Sequence, residues 1–412
     1  MSTRNFVKNI VLYLAAFLVI LNCNTVWGQQ IKTNYTNILL ILLLIILIVL
    51  QLPKIIDSIG TTITLAIFPM LAIYSILVIN TFAKMGSFGF SNIMTIIIIP
   101  IILIIYIVPD PKNGLEFLRH IQNIMFILAI ISILFWIIAS LGVQPNMSLS
   151  VAWGPIRTAP GFYGVHFITQ GYADFIGLNL IRNTGVFLEA PMYAYALSIA
   201  LLSALFLDKK SKFRDFQIFI FFITLFSTTS TTGVVVAITS LAYNEVFVVH
   251  NRNILYRFLL FFTVGGVAVF TVVLIIQSKF TDNFNNWAGS TAIRTDDVFV
   301  GLATWLQHIW VGNGIGNTSA IIANMDSRRI MAELTGYSNG FFQVLAFGGI
   351  VNMLVYLVPT IISFKNNRVF AFGLFAFVLF SVTIIGYTYI YIIILVFLYS
   401  VGISQSDVFS GN

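Results

Sequence analysis

Charged side chains are what this sequence most lacks: only 8% of its 412 residues are Asp, Glu, Lys or Arg. No water-facing surface can be assembled from so few, and 59% hydrophobic residues with a mean hydropathy of +0.98 exclude a soluble globule. Cysteine occurs once, at Cys23, which excludes an internal disulfide. The 4 histidines and 14 acidic residues never fall at metal-ligand spacing, so neither a metal nor a cofactor is expected. The adjacent acids Asp296-Asp297 read as a helix cap rather than a Mg²⁺ site. Internal repeats and low-complexity tails are missing as well. The net charge of +7 does not point to nucleic acid, because the lysines and arginines are scattered through short connections with no continuous basic stripe.

What the chain does have is long apolar runs of about 16 to 23 residues, the length of helices across a roughly 30 Å hydrocarbon core. They do not alternate as barrel strands would. Counting between polar breaks predicts about twelve spans, near 7–26, 36–52, 61–81, 92–108, 121–142, 187–207, 214–230, 233–249, 256–277, 340–362, 369–385 and 387–402. The fold class expected is therefore an all-α polytopic membrane protein, residues 1–412 forming a single integral membrane domain in the lipid bilayer. Arg4 and Lys8 before the first run resemble a signal peptide, but no small-x-small cleavage site follows, and the run reads as the first span. With both termini cytoplasmic, the inside segments hold thirteen lysines and arginines, from Arg4 and Lys8 to Lys365 and Arg368. The short outer loops hold two, Lys32 and Lys84. The cluster from Asp208 to Asp215 is the strongest inside anchor.

Two outer segments are long, 143–186 and 278–339, and together they hold Arg157, Arg182, Arg294, Arg328 and Arg329. Loops of that length carry structure or function of their own. The span centres hold almost no ionisable residues, which argues against an ion-coupled transporter. In the first loop, Trp153-Gly154-Pro155, Arg157, Pro160-Gly161-Phe162-Tyr163-Gly164 and His166 fit either carbohydrate recognition or an interfacial aromatic belt. His166 reads as a proton-transfer group or as a structural histidine. Arg182 and Glu189 stand seven residues apart at the mouth of the sixth span, on one face and roughly 10 Å apart if that stretch is helical. In the second loop, Thr295-Asp296-Asp297 opens a predicted amphipathic helix over about 296–310, with Val298, Leu302, Trp305, Leu306 and Ile309 on its apolar face and Arg294 just before it. His308 sits beside Trp305, and Gly312-Asn313-Gly314-Ile315-Gly316 makes a turn. Arg328 and Arg329 read as a solvated face or as substrate contacts.

Two motifs then look familiar together. Arg182-x-x-Gly185-x-Phe187-x-Glu189-x-Pro191 resembles the signature of the O-antigen polymerase and ligase superfamily, which includes capsule and exopolysaccharide polymerases of the Wzy type. Ser227-Thr228-Thr229-Ser230-Thr231-Thr232-Gly233 is similar to a second segment of that family, and Ser338-Asn339-Gly340-Phe341-Phe342-Gln343 followed by Gly348-Gly349-Ile350 to a third. The resemblance covers roughly 150–355. It implies a metal-independent, polyprenyl-pyrophosphate-dependent glycosyltransferase at the outer face of a bacterial cell membrane. Such an enzyme transfers a glycan from undecaprenyl pyrophosphate to another lipid-linked repeat unit, in O-antigen, capsule or exopolysaccharide synthesis, with a chain-length regulator as a further partner. Arg182 and Arg294 are then expected at the phosphates, and Glu189 as the base for the acceptor hydroxyl, or else as a residue holding Arg182 or capping the sixth helix. Arg157, Arg328, Arg329, Trp305, His308 and Asn339 are expected to bind substrate. Ligase-type members carry a histidine where this chain has Ser338, which favours a polymerase over a ligase. From another class, a lipid-linked oligosaccharide flippase or other transporter is the alternative.

Overall fold

The structure is a computed structural model and describes residues 3–31, 33–86, 89–152, 156–175, 178–208, 213–248 and 290–404. The expected span 256–277, the stretch 278–289, Trp153-Gly154-Pro155 and the lysines Lys209, Lys210 and Lys212 lie outside the described residues. Helices dominate. In chain order they begin with α1 (Thr3–Leu21), α2 (Val26–Gln30), α3 (Thr33–Leu50), α4 (Leu52–Thr62), α5 (Phe68–Met85), α6 (Phe90–Ile93), α7 (Ile99–Ile107) and α8 (Pro111–Ser140). After five strands come α9 (Ala190–Leu202), α10 (Arg214–Ser227) and α11 (Thr231–Tyr243). The last group is α12 (Ser290–Leu306), α13 (Thr318–Ile322), α14 (Ser327–Met331), α15 (Gly340–Ile362), α16 (Asn367–Val382) and α17 (Tyr389–Ile403).

Among the described residues, 7 helices are long and apolar enough to cross a membrane, and they mark a membrane-embedded protein. Without water, a backbone satisfies its own N–H and C=O groups, which is why these apolar runs coil. Proline falls in the first turn of α4 and α9, where its missing N–H costs no intrahelical bond, and Pro69 and Pro100 each follow a π-helical turn within a continuous helix. The sequence suggests a polar connection between 52 and 61, but the helix runs from Leu52 to Met85 through a π-helical turn at Ile63–Ile67. Pro53 begins a helix there instead of separating two.

Among its described residues, the segment 143–186 is not helical. It forms an antiparallel sheet of β1 (Met147–Ala152), β2 (Ile156–Phe162) and β3 (His166–Phe167), in that order, then a hairpin of β4 (Tyr172–Phe175) and β5 (Leu178–Ile181). The expectation of an all-α chain therefore holds for the long helices and not for this segment.

The chain divides into two compact units: Met1–Ala15, Asn37–Glu116 and Thr281–Asn412 form the first, Ala16–Thr36 and Phe117–Phe280 the second. The sequence reads as one domain and announces no such division. In the second unit α9 packs on α10 and α11. From Ala190 to Leu207 every residue but Pro191 is buried, as expected of a helix apolar all round.

In the first unit α15 packs on α5, α12, α16 and α17, and it is broken. Gly349, at φ 61° and ψ −160°, leaves the helical conformation, so the carbonyls of Ala346 and Phe347 and the amides of Ile350 and Val351 lose their helical partners. The stretch 309–314 replaces them. Ile350 donates to the Ile309 carbonyl at 3.0 Å and Val351 to Trp310 at 3.1 Å, while Asn313 donates to Ala346 at 2.8 Å and Gly314 to Phe347 at 3.0 Å. The Asn80 side-chain amide on α5 donates to the Val311 carbonyl at 2.9 Å, holding the stretch from its other side. The backbones approach so closely that a Cβ on Gly312, itself at φ +67°, would lie 2.5 Å from the Gly348 nitrogen and the Phe347 oxygen. Gly312→Ala is expected to destabilise the protein by at least about 2 kcal/mol, through a left-handed alanine and the forced separation of two backbones. Thermal unfolding in detergent measures it against Gly336→Ala, where a Cβ meets nothing within 4 Å and no change is expected.

Candidate functional site

In the second unit the stretch from Arg182 to Leu188 is extended and turned, and α9 begins only at Ala190. Arg182 and Glu189 therefore do not share a helix face, contrary to the seven-residue expectation. Three other pieces of chain hold the stretch. Val26 donates to the Val186 carbonyl at 2.9 Å and Leu188 to Asn24 at 3.0 Å, while Phe167 donates to Gly185 at 2.7 Å. The Thr184 hydroxyl returns to the Phe167 carbonyl at 2.6 Å. The third piece is the turn between α10 and α11. Asn183 donates from its backbone to the Ser227 carbonyl at 3.1 Å and from its side chain to the Ser227 hydroxyl at 2.9 Å, and Arg182 Nε donates to Thr229 Oγ1 at 3.0 Å. The segments Arg182–Pro191 and Ser227–Gly233, about 45 residues apart in the chain, thus meet in one place.

The glycines in these segments answer to geometry. Gly185 has φ +54°, and a Cβ there would lie 2.9 Å from the Tyr193 ring, on which Phe187 stacks at 5.1 Å. A Cβ on Gly233 would lie 3.0 Å from that of Ala194, so this glycine sets how closely α11 approaches α9. Thr229 takes the left-handed conformation at φ +54°, uncommon for a β-branched residue.

Glu189 is the residue that enters α9, half-buried and extended, and its side chain makes no capping bond to the helix. Capping, one of the roles open to it from the sequence, is therefore not its role. Arg157 is exposed on β2 opposite Val151. His166 is 1% exposed and lies against Phe135 at 6.2 Å, with no hydrogen-bond partner for Nδ1 among the described residues. Burial pushes its pKa down to about 4. Burial thus holds the ring neutral at neutral pH.

In the first unit α12 starts at Ser290, so Arg294 lies within the helix and not before it, and Asp296-Asp297 do not cap it. Those acids pair instead. Arg329, 2% exposed, donates from Nη1 to Asp296 at 2.5 Å and to the wholly buried Asp297 at 2.9 Å. Its Nε reaches the Leu334 carbonyl at 3.2 Å and its Nη2 the Gly336 carbonyl at 2.8 Å. Burial works against the Arg329 charge, yet the two carboxylates hold its pKa above the ordinary arginine value. The other oxygen of Asp297 accepts from the Ser338 backbone at 2.8 Å and hydroxyl at 2.5 Å. Arg329 is thus a structural tie with its donors committed, which corrects its expected role in substrate binding.

The remaining candidates are spread along this unit. Arg294 is exposed, one turn before Asp297, and Arg328 is exposed and paired with Asp326. Asn339 caps α15, accepting from the Phe342 amide at 3.0 Å. Trp305 donates to the Ile309 carbonyl at 2.9 Å, and His308 Nε2 meets Lys84 Nζ at 2.8 Å. Of the apolar stripe expected on α12, Val298 and Leu306 are exposed, with Phe299, and Leu302 and Trp305 are half-buried; Ile309 and Trp310, also exposed, lie beyond the helix end at Leu306. The covered face carries Asp297, Val300, Gly301 and Thr304. Polar and apolar residues thus share the covered face, where Val300 packs with Ile321, Met325, Ala346 and Phe347.

Sequence reasoning missed Asn183, Ser227 and Ser338 as organising residues. The dense Ser and Thr run at 227–232 was the available signal, but nothing local says which distant segment it meets. No family model matches the chain, and no curated protein or solved structure matches it significantly.

Asp297→Ala is expected to lose about 2–4 kcal/mol, because it leaves the Ser338 amide and hydroxyl unpaired and takes one of two carboxylates from the buried Arg329, and Asp297→Asn less; detergent unfolding midpoints compare them. For His166 the unfolded pKa near 6.5 lies above the folded one, so acid favours the unfolded chain and stability falls as pH drops from about 6.5 to about 4. His166→Phe keeps the ring and should flatten the pH dependence of unfolding across that window; an unchanged slope would place the titration elsewhere.

Proposed function

We propose that the protein is a polysaccharide polymerase that joins lipid-linked oligosaccharide repeat units. It would transfer the glycan from one undecaprenyl pyrophosphate to the acceptor hydroxyl of another lipid-linked unit. In this reading the chain has about twelve spans with both termini cytoplasmic. The segments 143–186 and 278–339 face outward from a bacterial cell membrane, and a chain-length regulator acts with it.

The observation that carries the reading is the meeting of Arg182 with Thr229, and of Asn183 with Ser227, because it joins two of the three segments on which the family resemblance rests. A guanidinium fixed at Nε presents a planar set of donors matched to phosphate oxygens. Donors held in place before reaction stabilise charge as it develops on a departing pyrophosphate, which makes the step metal-independent. Arg294, exposed on α12, is the second proposed phosphate contact. Glu189, which does not cap its helix, is the proposed base for the acceptor hydroxyl. Ser338 donates to Asp297 and has no imidazole to offer, in keeping with a polymerase rather than a ligase.

One observation favours a transporter, a lipid-linked oligosaccharide flippase: α15 is interrupted at Gly349, and discontinuous helices recur at transport sites. Purified protein incubated with a synthetic undecaprenyl-pyrophosphate repeat unit separates the two. A ladder of products supports the polymerase, and flipping without a ladder reverses the ranking.

Arg182→Ala and Arg294→Ala should each abolish long-chain polymer with the protein still in the membrane, and lysine should restore little, since it lacks the bidentate fork. Normal chain length in either alanine variant would remove that residue from the phosphate role. Glu189→Gln should lower turnover by about 10²–10⁴-fold if Glu189 is the base.

A further inference from the structure

The first turn of α11, within the second unit, is left unsatisfied. Its first intrahelical bond runs from Val234 to the Ser230 carbonyl at 3.0 Å, so the amides of Thr231, Thr232 and Gly233 precede the ladder. None of the three has an acceptor among the described residues. Ser230 occupies the position whose hydroxyl ordinarily accepts from such amides, yet its side chain makes no capping bond. Its hydroxyl has no partner among the described residues, although Ser230 is only 6% exposed. The Thr231 hydroxyl is likewise enclosed and unpartnered. This helix end is partly withdrawn from water: Thr229, Ser230 and Gly233 are buried, and Thr231 and Thr232 are half-buried. Three amides and two hydroxyls in such a place call for a common acceptor.

A helix N-terminus carries about half a positive charge, and the Arg182 guanidinium is bonded through Nε to Thr229, the residue before Ser230. Amides at a helix N-terminus beside a guanidinium are the donor set that phosphate oxygens take. We infer that the N-terminus of α11, with the hydroxyls of Ser230 and Thr231 and the guanidinium of Arg182, forms a cradle for one phosphate group of a phosphate or pyrophosphate ligand. This rests on the polymerase reading for the source of the phosphate, but not for the cradle. The Ser and Thr run thereby acquires a binding role: Thr229 orients the arginine, and Ser230 and Thr231 complete the acceptor shell.

The test uses the purified full chain and inorganic pyrophosphate as probe, by calorimetric titration. Ser230→Ala should raise the Kd about tenfold, the effect of one hydrogen bond to a charged group, and Arg182→Ala should raise it further. The unfolding midpoint of Ser230→Ala in the absence of ligand should not move, because the hydroxyl caps nothing. Wild-type protein that does not bind pyrophosphate, or a Ser230→Ala Kd within twofold of wild type, overturns the cradle. Displacement of the probe by undecaprenyl phosphate assigns the site to a lipid headgroup; binding of the inorganic anion alone assigns it to a free phosphate, and either result keeps the cradle. The polymerase reading fails separately. Variants that weaken pyrophosphate binding in a protein that makes no product ladder retain the cradle and reject the polymerase, whereas a ladder with Ser230→Ala binding unchanged does the reverse.

Discussion

A peptide backbone carries a donor and an acceptor at nearly every residue, and a hydrocarbon surrounding offers them no water. In a chain with 8% charged residues these groups make up most of the polarity, so their satisfaction organises the rest. Long helices answer it locally. Where the backbone departs from a helix, another part of the chain must stand in. At Gly349 the stretch 309–314 does so, meeting the amides and carbonyls released by the break. At the N-terminus of α11 nothing described does so, and that difference separates a closed structural joint from an end built to receive something.

The scarce charges obey the same rule. Asp297 is wholly buried, and the structure surrounds it with an arginine, a backbone amide and a hydroxyl instead of leaving it to shift or to pull in water. Arg329 is held in turn by two carboxylates and two carbonyls. The network ties α12 to the entry of α15 and consumes three charges, of which Arg329, on the sequence alone, reads as a substrate contact and the two acids as a helix cap. Arg294, one turn away on the same helix, remains exposed. Closely spaced residues of the same charge class thus divide between scaffold and surface by which side of the helix they occupy.

Around Arg182 the structure is extended, and this permits a function a helix would not. A helical stretch would have satisfied its own backbone and turned its side chains to a single neighbour. The extended one is stitched to Asn24 and Val26, to Phe167 and to Ser227, so that Arg182 is held from several directions. Preorganised donors of this kind are what the proposed transfer requires, since they need not reorganise as charge develops.

The sequence by itself determined that this is a helical membrane protein, because hydropathy and run length are local sums that any neighbourhood must respect. It also marked the segments that matter, Arg182–Pro191 and the Ser and Thr run, through their unusual polarity. It did not reveal that 143–186 folds into small sheets, since short strands with mixed exposure carry little periodicity. Nor did it reveal that α12 buries Asp297 and Thr304 beside Val300, because amphipathicity names two faces without saying which one the protein covers. Only the tertiary structure decided that Asp297 belongs to Arg329 and Ser338, and Arg182 to Thr229. These pairings join residues 32 to 47 positions apart, and a hydrogen bond between distant segments leaves no repeating trace in either.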